Sequence, residues 1–385
     1  MGNWGSHEFN RGIYSFNISS LLFSETAHSI PIDVVRESNL KASCLEGLVG
    51  VFVGGTNGVG ASTLKEFFEC TIRPKAYIVG RNEKNAQELI EDVTGASYDA
   101  ECHFIKADVT LLKNVDDVCD QIMQKEKKLN ILFLSAGFMS MRGRTESSEG
   151  LDKKMAINFY TRMRFIYNLM PLLTDAAKQN ELSRVLSVLA AGSEGHIRTD
   201  DLSLKHNYTV HACMAHCVVM NDFMMEEYAK RYPLTAFSHS YPGTIKSGIT
   251  NELGGPARLA VKILYAVSSP WIIHLKESGE RHFFQITSAM YPPRRGQSGI
   301  PIPDGQEVCE GSDGEKGSGA YLLDWDAQST GDQEILKPYR DSGMGPKIWD
   351  HTMEVFRTSL SKKRPADSPA EPEFRPRPPV GWRAG

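Results

Sequence analysis

Several absences narrow the reading of this chain before any motif does. Long hydrophobic runs are missing. The best candidate, "LAVKILYAVSSPWIIHL" at Leu259–Leu275, is short for a membrane span and is broken by Lys262 and by a Ser-Ser-Pro step. It reads as two short apolar helical pieces packed on a core, so no transmembrane span is expected. The N-terminal stretch has no basic segment followed by an apolar run, and a secretory signal is not expected. Basic charge is not in surplus: 43 Lys and Arg stand against 47 Asp and Glu, a net charge of -4. That balance gives no electrostatic footprint for nucleic acid. The seven cysteines include no CxxC pair, which argues against a disulfide framework and for free thiols in a reducing, cytoplasmic setting. No internal repeat is visible.

What remains is globular: 41% of residues are hydrophobic and 23% charged. Residues 1–45 are weakly patterned and read as an N-terminal arm, partly disordered. From residue 46 short apolar runs alternate with helical periodicity. "GLVGVFVGG", "KAYIVGR", "CHFIKADV", "NILFLSAG", "LSRVLSVLAAG" and "LTAFSHSYPG" read as strands, with helices between them. This alternation predicts a doubly wound parallel α/β sheet covered on both faces. After Gly243 the rhythm stops. Residues 244–280 read as an apolar helical insertion where a ligand would bind, and "ERHFFQI" as a last strand, which closes the main domain at 290. Residues 291–360 form a C-terminal extension, with Gly-, Asp- and Pro-rich loops to about 332 and helix beyond. Residues 361–385 are a Pro-rich, charged tail expected to be disordered.

The stretch "VFVGGTNGVGAST" sets Gly54, Gly58 and Gly60 between a strand and a helix, with Thr56, Asn57 and Val59 among them. One glycine allows the sharp turn and another the approach of backbone to a pyrophosphate. The third allows close packing of helix on strand, and the helix N-terminus favours the negative charge. The second strand ends in Arg81 with no acidic residue before it. A guanidinium there suits a ribose 2′-phosphate and so NADP rather than NAD.

This Gly-x-x-x-Gly-x-Gly spacing resembles that of the short-chain dehydrogenase/reductase family, whose fold is of the Rossmann type. Other segments are similar too. "ADV" includes Asp108 and Val109, which the resemblance assigns to the adenine. "LSAG" (Ser135, Ala136, Gly137) resembles the family's Asn-Asn-Ala-Gly turn without its asparagines. Asn158 falls at the family's helix asparagine, and "YPGTIKSG" (Pro242, Gly243, Ser247) resembles its Pro-Gly segment. The likeness runs from about Gly50 to Gly248. Later segments resemble a fungal branch found among secondary-metabolite enzymes. The resemblance implies an NADP-dependent oxidoreductase acting on a carbonyl or alcohol of an apolar small molecule, with the insertion as pocket wall. The family's usual dimer faces are Asn158's helix and the helix that opens at Thr209, which leaves a homodimer as an expectation.

The proton-transfer residues of that family are not matched. The catalytic serine's place at the end of the fifth strand falls on Leu189 or Ala190, with Ser187 and Ser193 on either side. In "TVHACMAHCVVMND" the tyrosine's place falls on Ala212 and the lysine's on His216. His216, Ser187 and Tyr208 are the candidates for the missing acid–base work, and Asn158 would order a water or the helix at the site. Cys213, His216 and Cys217 share a helical face. A structural zinc takes four ligands, commonly from separate segments, and no metal site is expected. Two rival readings follow from the unmatched triad: a nucleotide-binding scaffold without turnover, or a non-redox isomerase or dehydratase with His216 as base.

Overall fold

The computed structural model describes residues 29–95, 99–138, 140–245 and 272–361. Most of the insertion, Ser247 and the tail therefore lie outside the described residues.

Seven strands make one parallel sheet in the order β3-β2-β1-β4-β5-β6-β7. They are β1 (Val49–Val53), β2 (Lys75–Gly80), β3 (Glu101–Lys106), β4 (Ile131–Leu134), β5 (Arg184–Val188), β6 (Ala236–Ser240) and β7 (Ala320–Leu323). Strands β1, β4, β5, β6 and β7 are buried along their whole length, as a sheet covered on both faces requires. The strand order reverses between β1 and β4. That reversal opens a crevice at the carboxyl ends of the strands, the general binding place of such sheets.

The helices are α1 (Ile32–Leu40), α2 (Gly58–Cys70), α3 (Glu83–Gly95), α4 (Leu112–Lys125), α5 (Lys153–Met155), α6 (Thr161–Lys178), α7 (Val210–Arg231), α8 (Leu275–Thr287), α9 (Gln333–Asp341) and α10 (Met344–Ser361). A π turn, Ala156–Tyr160, joins α5 to α6. One core lies between the sheet and α4, α6, α7 and α10, and includes Leu132, Phe165, Val219, Tyr228 and Phe356. A second lies under α2 and α8, and includes Phe52, Phe67, Phe133, Leu186 and Phe283, and a third gathers Val35, Phe284, Tyr291 and Tyr321.

Three expectations change. "ERHFFQI" is not a strand but the body of α8. All residues from Ser278 to Thr287 are buried, so the helix shows no polar stripe. With Glu280, Arg281, His282 and Gln285 buried beside Phe283, Phe284 and Ile286, so short a stretch carries no helical periodicity to tell it from a strand. Its Phe283 and Ile286 enter the α2 side of the core, while Phe284 packs with Tyr291, their ring centroids 6.1 Å apart. The seventh strand is "AYLL" in the extension, hidden in sequence by the glycines around it and paired parallel to β6. The sheet therefore crosses the boundary expected at 290. Finally, the arm's last part is helical and anchored. Arg36 donates from Nε and Nη2 to the two oxygens of Glu280, each at 3.0 Å, and Asn39 bonds Glu66 and the Glu280 carbonyl.

Helix α10 packs on α7. Trp349 meets Tyr228 edge-on at 5.1 Å, and the Arg231 guanidinium lies 3.9 Å from the Trp349 ring centroid. Phe356 takes Arg164 of α6 at 5.1 Å. The C-terminal helix thus lies on the two helices expected to offer a dimer face.

Candidate functional site

The glycine loop joins β1 to α2 at the crevice. Gly54 has φ +87°, and a Cβ there would stand 2.5 Å from the Ala136 backbone nitrogen. A Cβ on Gly60 would stand 2.6 Å from Ser135 Oγ and 2.7 Å from the Gly54 carbonyl oxygen. Neither position tolerates a side chain, because the ends of β1 and β4 close on each other there. Ser135 and Ala136 both donate their N–H to the Val53 carbonyl, at 2.8 and 3.0 Å. Asn57 caps α2, its Oδ1 accepting the Gly58 N–H at 2.7 Å. No acidic side chain occupies the first turn of α2, which leaves the helix N-terminus favourable to an anion. A cavity of about 380 Å³ lies beside Thr56, Asn57 and Gly58, and both cations (Lys65, Lys276) and carboxylates (Glu66, Glu69) line it. Val59 is buried against the core.

Arg81 is exposed at the tip of β2. Asp108, exposed after β3, accepts the Thr110 N–H and hydroxyl at 3.1 and 2.8 Å, and Val109 beside it is buried. Gly137 ends the β4 turn under Asn158: a Cβ on it would stand 3.1 Å from Asn158 Oδ1. Pro242 and Gly243 follow β6, where Ile273 and Trp325 close over Gly243. Glycine loop, β4 turn and Pro-Gly segment thus each follow the carboxyl end of a strand of the one parallel sheet, with Asn158 against the β4 turn.

A family profile described as "short chain dehydrogenase" matches residues 49–193. The chain is 40% identical over 337 residues to oxidoreductase AN1596 of Emericella nidulans, covering 86% of this chain and 100% of that protein. It is 35% identical over 337 residues to oxidoreductase andH of Emericella variicolor, covering 86% and 98%. Among solved structures it is similar in fold to a putative uncharacterized protein of Mycobacterium Paratuberculosis, with TM-score 0.52, 14% identity, and 80% and 93% of the two chains covered. This chain belongs to the short-chain dehydrogenase/reductase family.

The polar side chains expected to move the proton are largely engaged within the protein. His216 is fully buried and both its nitrogens are taken. Nε2 accepts the Arg198 N–H at 2.8 Å, so the ring proton sits on Nδ1, 3.3 Å from the Leu202 carbonyl. Burial also lowers its pKa. The imidazole pins the loop before α7, and the expectation of an acid–base His216 does not fit this geometry. Ser187 is likewise enclosed. Its Oγ accepts from Arg162 Nη1 at 2.8 Å and donates to Asn221 Oδ1 at 3.0 Å, which leaves no approach for a substrate. Tyr208 is half-buried, and its hydroxyl donates to Asp152 Oδ1 at 3.4 Å. Burial, followed by its neighbour Cys213, raises its pKa. Asn158 lies inside the π turn, and its carbonyl accepts from Asn221 Nδ2 at 3.0 Å. Among the described residues no group of three His, Cys, Asp or Glu side chains could hold a metal.

Two features escaped the sequence reading. Arg162, one turn after Asn158, turns inward and staples β4 to β5. Nη1 donates to the Val188 carbonyl at 2.7 Å, Nη2 to Ala136 at 2.8 Å and Nε to Ile157 at 3.3 Å. Its signal was its phase, since it shares Asn158's helical stripe with buried Ile166 and Leu169. The second is a closed acid–imidazole pair under Ala190. His239 Nε2 accepts the Ala190 N–H at 3.1 Å, so Nδ1 carries the proton toward Asp222 Oδ1 at 2.5 Å. Burial pushes the Asp222 carboxyl well up and His239 down to about 3, which makes the contact a neutral hydrogen bond rather than an ion pair. No sequence signal links residues on two separate elements.

Proposed function

We propose that this chain is an NADP-dependent oxidoreductase that transfers hydride to or from a carbonyl or alcohol carbon of an apolar metabolite, in fungal secondary metabolism. The observation that carries the reading is the cradle at Gly54 and Gly60. It has room for backbone alone, faces a helix N-terminus without acid, and so fits a pyrophosphate. Arg81 supports a 2′-phosphate, and Asp108 with Val109 the adenine. Ser135, Ala136, Gly137, Asn158 and the Pro242–Gly243 turn would border the nicotinamide half. Ser247 would join them from outside the described residues. Bound NADPH supplies the hydride. The protein's part is to orient the acceptor carbon over the β4–β5 end and to exclude water. Of Ser187, Tyr208 and His216, Tyr208 is the one whose side chain is not fully buried, although its hydroxyl meets buried Asp152. The relatives' names, both "oxidoreductase", agree with this reading. Among the described residues no helix is long and apolar enough to cross a membrane. All seven cysteines are free, which supports a reducing compartment such as the cytoplasm.

A second reading, a nucleotide-binding scaffold without redox turnover, draws on the enclosed Ser187 and His216. Titration with NADPH and NADH, followed by nicotinamide fluorescence, separates the two readings when combined with turnover on a panel of apolar cyclic ketones. Tight NADPH binding with turnover supports the reductase. Binding without turnover supports the scaffold, and no binding removes both. Arg81→Ala should reduce the preference for NADPH over NADH about tenfold or more.

A further inference from the structure

The unmatched lysine leaves an electrostatic vacancy, because a cation in that region would favour negative charge at the reacting oxygen and repel the oxidised nicotinamide. Arg162 is the buried cation nearest the β4–β5 end. Its guanidinium is held by the carbonyls of Leu134, Ala136, Ile157 and Val188 and by the Ser187 hydroxyl. Every one of these acceptors is neutral. Among the described residues no carboxylate touches it, so its charge is not cancelled locally. Burial lowers its pKa only to about 10, and it stays charged at neutral pH. Nη2 bonds a single acceptor, Ala136, and lies 3.8 Å from where a Cβ on Gly137 would stand. That places one N–H-bearing corner of the guanidinium directly beneath the lip of the crevice, beside Asn158.

We propose that Arg162 is a positioning residue that supplies, from below the Ala136–Gly137 turn, the fixed positive charge that the family's lysine supplies elsewhere. It does not touch the reacting atoms. Its charge acts through a water-poor strand end, where screening is weak. When hydride adds to a carbonyl carbon the electron pair moves to oxygen, and a nearby cation stabilises that alkoxide until a proton reaches it. The same charge disfavours the oxidised cofactor, whose ring is cationic, relative to the reduced one. This rests on the cofactor reading above.

The test needs no substrate. Dissociation constants for NADPH and NADP⁺ are measured by calorimetry for the wild type, Arg162→Lys, Arg162→Gln and Ser187→Asp. The last variant keeps the guanidinium but sets a carboxylate against it, so it tests the charge even if Arg162→Gln fails to fold. The wild type and Arg162→Lys should favour NADPH. In Arg162→Gln and Ser187→Asp the NADP⁺/NADPH ratio of dissociation constants should fall about tenfold, as expected for removing one poorly screened charge. A purely structural staple would weaken both forms alike. An unchanged ratio in whichever neutralised variant folds overturns the proposal. If the wild type binds neither form, the cofactor reading fails first.

Discussion

His239 Nδ1 sits 2.5 Å from Asp222 Oδ1 in a space closed to solvent, directly under the strand end where the family's serine would stand. Both groups are neutral there. Replacing Asp222 with Asn should therefore change stability little, because the amide oxygen still accepts from Nδ1. Asp222→Ala strands that N–H and should cost about 2–3 kcal/mol. Urea denaturation of the two variants compares them. Equal losses would mean that Asp222 is ionised in the folded protein.

Glu194 lies nearby, accepting the Gly192 and Asp332 N–H groups at 2.8 and 2.9 Å. Burial pushes its carboxyl from 4.5 up to about 7. The unfolded chain releases this proton near 4.5 while the folded chain keeps it to about 7. The stabilising contribution is therefore whole below 4.5 and declines as pH rises to about 7. Melting temperatures across that window should fall more steeply for the wild type than for Glu194→Gln. Parallel curves would refute the shift.

The glycine cradle makes a sharper forecast. Gly60→Ala places a methyl group against Ser135 Oγ and the Gly54 carbonyl, and should destabilise by roughly 1–3 kcal/mol. NADPH affinity should drop more than tenfold even in variants that remain folded by circular dichroism, since the loop must shift. Unaltered affinity would place the pyrophosphate elsewhere.

The position of α10 bears on assembly. Trp349, His351 and Phe356 lie on Tyr228, Tyr160 and Arg164, on the helices through which the family usually dimerises. The expected homodimer cannot use those faces while α10 stays in place, and the protein should be monomeric. Light scattering after gel filtration should give about the chain mass of 42.8 kDa. Twice that value would show that α10 moves or that another face serves.

Much of this was legible beforehand. Six parallel strands and the backbone of the glycine loop are local facts, because strand burial and turn geometry are written in neighbouring residues. The same locality misled at "ERHFFQI", where full burial erased the helical stripe, and at "AYLL", where flanking glycines masked a strand. The roles of His216 and Ser187 were not local at all. Their spacing in the chain suggested chemistry, but Arg198, Leu202, Arg162 and Asn221 come from other turns and other elements and take up their polar atoms. The sequence alone determined where the β1–α2 turn closes without side chains, since a glycine is a property of one position. Only the tertiary structure decided which side chains remain available for proton transfer, since availability depends on what each buried donor and acceptor has already met.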